Sequence, residues 1–344
     1  METPKNGRLL QLDATKIRQL MDHRGLSVEK VAEKAGSVDS VRNWLKGKPC
    51  YRSSAAKLAK ALGTTIEALL PTQSDIQVST VNGYLVTDAL TELLSASNGL
   101  QFQVLRMRHM ELDRLVRGKR FDLSGMPTDE QQRCRTWIKR HPVVCEALRD
   151  HANVIRNLDA FFDAGEGFYW VIDEWIDGES LDRLLSSGRE FSEAECRSIL
   201  LDIASGLDAL HQQNFIRREL TPANILIASS DRRAVLCEFE LAKLIDRGPR
   251  GSGSEWPDDP YRAGEADSSD VDLRADIYSW GRIGVHILLG SLPDAGEESQ
   301  ALDESSISTG LKKTLLQATE TFRSDRFSSF GKAIDRVRNE AAHG

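Results

Sequence analysis

The stretch "FIRRELTPANIL", residues 215–226, decides how this chain is read. It has the cadence of a catalytic loop. A short apolar entry, Phe215-Ile216, leads to a basic pair, Arg217-Arg218, an acid, Glu219, and an amide, Asn224, before the chain turns apolar again. A group that accepts a proton must lie within hydrogen-bond reach of it, so the length of its side chain matters. An aspartate is expected at such a place; the acid here is Glu219, one methylene longer. Whether the loop still works depends on its surroundings.

Immediately before it, "FSEAECRSILLDIASGLDALHQQ" carries Ile199, Leu200, Ile203, Leu207 and Leu210 at helical spacing, with Ser192 near the start. Further upstream, "LQFQVLRMR" and "FYWVIDEWI" are alternating or β-rich pieces around a helical segment near "CRTWIKRHPVVCEALRDH". Downstream come "LCEFELAKLI", "PYRAGEA" and "DLRADIYSWGRIGVHILLGSLP". The pattern predicts a strand-rich lobe followed by a helical one. In this order the motifs resemble the protein kinase fold over residues 82–340, as its catalytic loop, metal-binding segment, end of the activation segment and following helix. The ordered set is far more specific than any one member.

Residue by residue, the resemblance exposes departures. Glu219 stands at the aspartate base and Arg217 at the usual histidine. Asn224 keeps a metal-ligand position, Thr221 replaces a lysine that approaches the γ-phosphate, and Glu238-Phe239-Glu240 stands for Asp-Phe-Gly. Phosphoryl transfer is mostly positioning and electrostatics, so a carboxylate displaced by about 1 Å can lose roughly 10²-fold in rate. Mg²⁺ demands near-octahedral geometry, and Glu240 adds a carboxylate without an obvious partner. In "LLSASNGLQFQVLRMR" only Gly99 can supply the glycine-rich phosphate roof.

The resemblance implies a nucleotide–metal site of Arg106, Asn224 and Glu238, with Asn224 and Glu238 on the metal. Arg106 is the nearest match to the phosphate-pairing lysine, with Arg108 an alternative, and Glu146 is the candidate for its helix partner. "RGKRFDLS", residues 117–124, reads as a basic loop of the upper lobe. Asp173, judged from "VIDEWIDGESL", falls at the back of the adenine pocket, where a carboxylate is costly unless paired or hydrated. Either an arginine pairs it in an occluded pocket or the register is off by one. The structural motifs are kept better: Glu265 and Arg326 match the family's buried ion pair, Asp276 its anchor for the loop backbone, and Arg218 its basic residue there. Residues 246–270 read as an extended, Gly-, Pro- and Ser-rich activation segment, its serines open to another kinase or simply exposed. The histidines and cysteine of "RHPVVCEALRDH" read as packing.

The first 70 residues are different. They hold 13 Lys+Arg against 7 Asp+Glu, a charge of +6, whereas the remainder carries −13. A basic head on an acidic body predicts that only the head meets a polyanion. It reads as short helices, "DATKIRQLMDHRG", "LSVEKVAEKAG", "SVDSVRNWLKG", "RSSAAKLAKALG" and "TTIEALLP", with a core of Leu26, Val31, Val41 and Leu58. The turn Ala35-Gly36-Ser37 joins two of them as a helix-turn-helix. Val41 and Trp44 then face inward, and Asp39, Ser40, Arg42 and Asn43 outward. Arg and Asn suit guanine and adenine edges; Lys46, Lys48 and Arg52 suit phosphate. Asp39 repels phosphate, so it either accepts from a cytosine amino group or faces solvent. Residues 9–71 resemble the Cro/C1 (XRE) helix-turn-helix domains, which implies double-stranded DNA as partner and a homodimer on a palindromic site.

Five scattered cysteines indicate neither a disulfide framework nor a zinc site, and no stretch approaches 18 uncharged apolar residues. No membrane partner and a cytoplasmic setting are expected. The chain reads as multidomain, with an all-α helix-turn-helix head (1–71), a linker (72–81) and a bilobal α+β protein-kinase-like fold. Its N-lobe and hinge span 82–178 and its C-lobe 179–344. The leading expectation is a DNA-binding regulator whose degenerate kinase-like domain senses or recruits a protein or small-molecule effector with little phosphoryl transfer. It requires no cofactor. The alternative is an atypical serine/threonine protein kinase using ATP with Mg or Mn, targeted to DNA or a transcription complex. A non-transcriptional scaffold comes third.

Overall fold

The computed structural model describes residues 9–10, 12–46, 50–69, 80–95, 100–240, 243–244, 259–266, 268 and 270–341. The chain divides into two compact units, Met1–Leu93 and Leu94–Gly344.

The first unit is mainly helical. Helices α1 (Ala14–His23), α2 (Val28–Ala35), α3 (Val38–Leu45), α4 (Arg52–Ala61) and α5 (Ile66–Leu69) surround Ile17, Val31, Val41, Trp44, Leu58, Leu62 and Leu69. Leu26 packs against this core only partly buried. Burying each large aliphatic side chain contributes about 1.5–3 kcal/mol, which a domain this small needs. Two serines set the helix-turn-helix. Ser27 accepts from Lys30 N to start α2, and Ser37 accepts from Ser40 N to start α3. Between them Gly36 takes φ 144°, a backbone that a side chain disfavours. Asp13 N donates to Leu69 O at 2.8 Å and ties the start of the domain to its end. A short ladder of β1 (Leu9–Leu10) with β2 (Cys50–Tyr51) lies beside the helices, and a hairpin of β3 (Thr80–Val81) and β4 (Tyr84–Ala89) follows them.

The second unit begins with an antiparallel sheet in the order β5-β6-β7-β9-β8. Its strands are β5 (Leu94–Ser95), β6 (Gln101–His109), β7 (Arg114–Asp122), β8 (Asn157–Asp163) and β9 (Phe168–Glu174). Helices α6 (Thr128–Ile138) and α7 (Arg140–Ala147) intervene between β7 and β8. The segment 117–124, expected as a basic loop, is mostly strand β7. Arg117 and Lys119, two residues apart, share the face of the strand that meets a cluster of acids, with Gly118 between them on the other.

The rest is helical: α8 (Leu181–Ser186), α9 (Glu193–Gln212), α10 (Arg274–Leu289), α11 (Glu298–Asp303), α12 (Thr309–Ala318) and α13 (Phe330–Ala341). Ser192 and Glu195 form a reciprocal capping box on α9. Helix α10 is buried on nearly every side and packs tightly on α12: a Cβ on Gly284 would come within 2.5 Å of Leu315. Small ladders carry the loops of interest. These are β10 (Gly178–Ser180) with β12 (Ile225–Ala228) and β13 (Ala234–Leu236), and β11 (Phe215–Ile216) with β14 (Lys243–Leu244). The loop 217–224 therefore hangs between β11 and β12, and residues 237–240 leave β13 beside it; Cys237 N donates to Asn224 O at 3.0 Å.

Candidate functional site

Asp276, wholly buried on α10, organises the loop. Its two oxygens accept from Arg217 N and Arg218 N, each at 2.8 Å, and His211 Nε2 lies 2.8 Å from one of them. These bonds hold Arg218 at φ 69°, a left-handed backbone that costs a side-chain-bearing residue of order 1–3 kcal/mol. Arg217 turns inward. Its guanidinium lies 4.3 Å from the centre of the Phe239 ring, and Nη2 donates to Cys237 O. Glu219 stays partly exposed, and Asn224 Nδ2 reaches its carbonyl at 3.5 Å.

Opposite the loop, the sheet and the segment 237–240 share a chain of charges. Arg117 Nη2 donates to Glu238 Oε1 at 2.5 Å, and Arg117 Nη1 lies 3.6 Å from Asp173. Lys119 Nζ donates to both Glu238 Oε2 and Glu240 Oε1 at 3.0 Å, with its ammonium 4.1 Å from the Phe102 ring centre. His141 Nε2 faces Asp173 Oδ1 at 2.9 Å, where Asn157 Nδ2 also donates. Like Arg218, Glu238 sits at positive φ, 64°, held there by its two cations.

The electrostatics follow from this pairing. Burial alone would raise the Glu238 carboxyl, yet Lys119 and Arg117 hold it well below the usual carboxylate range. Asp173 is likewise lowered against its burial, by His141 and then Arg117. His141 is pulled two ways. Burial disfavours its charge and Asp173 favours it more strongly, but Phe239 N donates to Nδ1 at 3.1 Å and requires a bare nitrogen there. The directed backbone bond decides the tautomer: the proton sits on Nε2, facing Asp173. Arg117 and Lys119 are thus engaged by the carboxylates of Asp173, Glu238 and Glu240.

This arrangement corrects the site expected from sequence. Arg106 lies one strand away from Lys119 on β6, directly opposite Arg117, with its guanidinium 5.0 Å from the Trp175 ring centre. Arg108 pairs with Asp113 in the turn. Lys119 occupies the place sought for the phosphate-pairing cation. Glu146 is exposed and bridges to Arg149; the α7 residue that reaches the cluster is His141. The structure brings Asn224 and Glu238 into neighbouring segments but leaves Arg106 out. Gly99 lies outside the described residues. The cluster does not fit a nucleotide with a divalent ion: both Glu238 oxygens accept from cations that also close the cleft, leaving that carboxylate no oxygen free of a cation for a metal. The signal for Lys119 was the alternation "LVRGKRF"; its acids lie about 120 residues away in sequence.

On the far side of the loop, Arg326 meets Glu265 at 2.5 and 3.2 Å and also donates to the carbonyls of Arg274, Glu320 and Thr321. Arg218 Nη2 donates to Ala266 O. Most of the segment expected to be an extended activation loop, 246–258 with 267 and 269, lies outside the described residues.

In the head, Val41 and Trp44 are buried, Asp39, Arg42 and Lys46 are exposed, and Ser40 and Asn43 are half-buried. The Ser40 hydroxyl is engaged with Ser37 Oγ at 2.9 Å. Asp39 falls in the first turn of α3, where a carboxylate suits the helix dipole. Lys48 and the side chain of Arg52 lie outside the described residues.

Comparison with known proteins agrees with this geometry. The family described as protein kinase domain matches residues 98–339, and the one described as Cro/C1-type HTH DNA-binding domain matches 16–75. Serine/threonine-protein kinase C of Synechocystis sp. is 27% identical over 220 residues, covering 59% of this chain and 41% of that protein. CDPK-related kinase 4 of Arabidopsis thaliana is 30% identical over 170 residues, covering 48% and 28%. The chain thus spans under half the length of these relatives. The PknI kinase domain of Mycobacterium tuberculosis superposes with a TM-score of 0.58 at 23% identity, over 76% of this chain and 98% of that one. No described helix is long and apolar enough to cross a membrane. With 242 residues matched end to end and the bilobal fold in place, the chain belongs to the protein kinase family and carries a Cro/C1-type helix-turn-helix DNA-binding domain near its start.

Proposed function

We propose that this protein is a DNA-binding regulator whose kinase domain is a pseudokinase, acting as a partner- or effector-responsive body for the head. The observation that carries this is Arg117, whose guanidinium runs from Asp173 to Glu238 across the cleft. In a transferring site the carboxylate at Glu238 would orient a divalent ion; here its oxygens accept from Arg117 and Lys119. Thr221 supplies no cation toward a phosphate, and Glu219 places its carboxylate a methylene further out. Radiolabelled transfer from ATP with Mg or Mn to generic protein substrates should stay at background. Robust transfer abolished by Glu219→Gln and by Glu238→Gln, with the fold intact, would overturn this reading.

A second reading, an atypical serine/threonine kinase, is supported by Lys119 facing Glu238 at 3.0 Å with Asn224 in the adjoining loop, and by the names of the relatives. The transfer assay separates the two. For the head, residues 1–71 bind duplex DNA as a dimer, followed by a linker at 72–81 and the kinase-like body from 82. Arg42, with Asp39, Ser40 and Asn43, faces the bases, and Lys46, Lys48 and Arg52 face phosphates. Affinity should fall as salt rises, and Arg42→Ala should damage sequence discrimination more than Lys48→Ala. An isolated body that selects the same duplex unaided would refute the head's role.

A further inference from the structure

We infer that Arg106 and Arg117 form a resident plug in the roof of the cleft, with an adenine-nucleotide site latent beneath it; this rests on reading the domain as a pseudokinase. The two arginines are cross-strand partners, so both point from the same face of the sheet. Placed opposite one another, two guanidinium groups repel unless each finds its own counterpart. Arg106 lies over Trp175, in the segment after β9, at 5.0 Å. Arg117 reaches Asp173 at the back of the cleft and Glu238 at its floor. Between them their contacts run from Trp175 through Asp173 to Glu238, the course a base and ribose would take for phosphates to approach Lys119.

What lies beneath the plug is still built for an anion with a cation. Lys119 is buried, fixed over the Phe102 and Phe121 rings at 4.1 and 4.9 Å, and keeps its bond to Glu238 without help from Arg117. Asn224 adjoins through Cys237 N. Asp173 is the plug's anchor: at 1% exposure, the carboxylate needs the charge that Arg117 supplies. Removing the arginine alone would strand that acid, whereas an asparagine there can still accept from His141 and Asn157.

The test uses the full chain and Mg·ATP in a calorimetric titration of the natural protein, Arg117→Ala, Arg117→Ala/Asp173→Asn, and the latter with Arg106→Val added. The natural protein should give no saturable heat at millimolar nucleotide. The double variant should bind at least about tenfold more tightly than that limit, and the triple variant more tightly again. Cooperatively folded variants that bind no nucleotide would overturn the plug. So would failure of every variant to fold, since the arginines would then be struts of the core rather than occupants of a site. Saturable binding by the natural protein would also overturn the plug, while the pseudokinase reading on which the inference rests fails separately, on robust transfer in the radiolabelled assay.

Discussion

Two clusters of buried charge lie on either side of the same loop, and they are built from different materials. Asp276 satisfies two backbone N–H groups and an imidazole, and Arg326 spreads its donors over Glu265 and three carbonyls. Their partners are largely main chain, so their geometry is the fold itself. The cluster at Glu238 is almost wholly side chain to side chain: Arg117, Lys119, Glu238, Glu240, Asp173 and His141. Such a network is rewired by substitution without moving a strand. A lobe can thus keep its architecture while the side-chain pairing inside its cleft changes.

The comparison breaks most readily at Asp276. Asp276→Ala strands two buried N–H donors at once and should cost about 4 kcal/mol in urea unfolding, with Arg326→Ala close behind at about 3 kcal/mol. A smaller loss at both than at any residue of the cleft would invert the comparison. Next comes acid. Glu238 and Asp173 have depressed folded pKa values, so their stabilisation is fully present above the unfolded carboxylate range. It is lost as pH falls through the folded values. Stability from this cluster should be flat from about pH 5 to 7 and fall by roughly 2 kcal/mol below about pH 4. An acid limb left unchanged by Lys119→Met would place its origin elsewhere. Comparable to the acid loss is Lys119→Met itself, about 2 kcal/mol at neutral pH, because Glu238 retains Arg117 and the thioether suits the aromatic pair while the buried Glu240 loses its cation.

Much of the fold was legible because it rests on local rules. The 3.6-residue period of α9, the serine caps, and Val41 and Trp44 on one face of α3 are sequence properties that packing obeys. The ordered motifs led to Asp276, Glu265 and Arg326 because their spacing along the chain is distinctive. The cleft was harder to read. "RGKRF" looks like an exposed basic loop until its acids are brought to it from residues 173, 238 and 240, and no local periodicity carries that information. Asp173 was the usable clue: a carboxylate at the back of a pocket asks for partners, and the structure supplies the Arg117 guanidinium and the Nε2–H of His141. Arg106 was misassigned because β6 and β7 are adjacent strands with arginines in directly opposed positions.

A cleft satisfied by its own side chains takes up no nucleotide. Thermal unfolding of the full chain, with and without Mg·ATP at several millimolar, tests it most directly, since any ligand that binds only the folded state must raise the midpoint. The two curves should superimpose. A reproducible rise of about 5–10 °C, the shift expected for a domain of this size at a hundredfold excess over Kd, would contradict it.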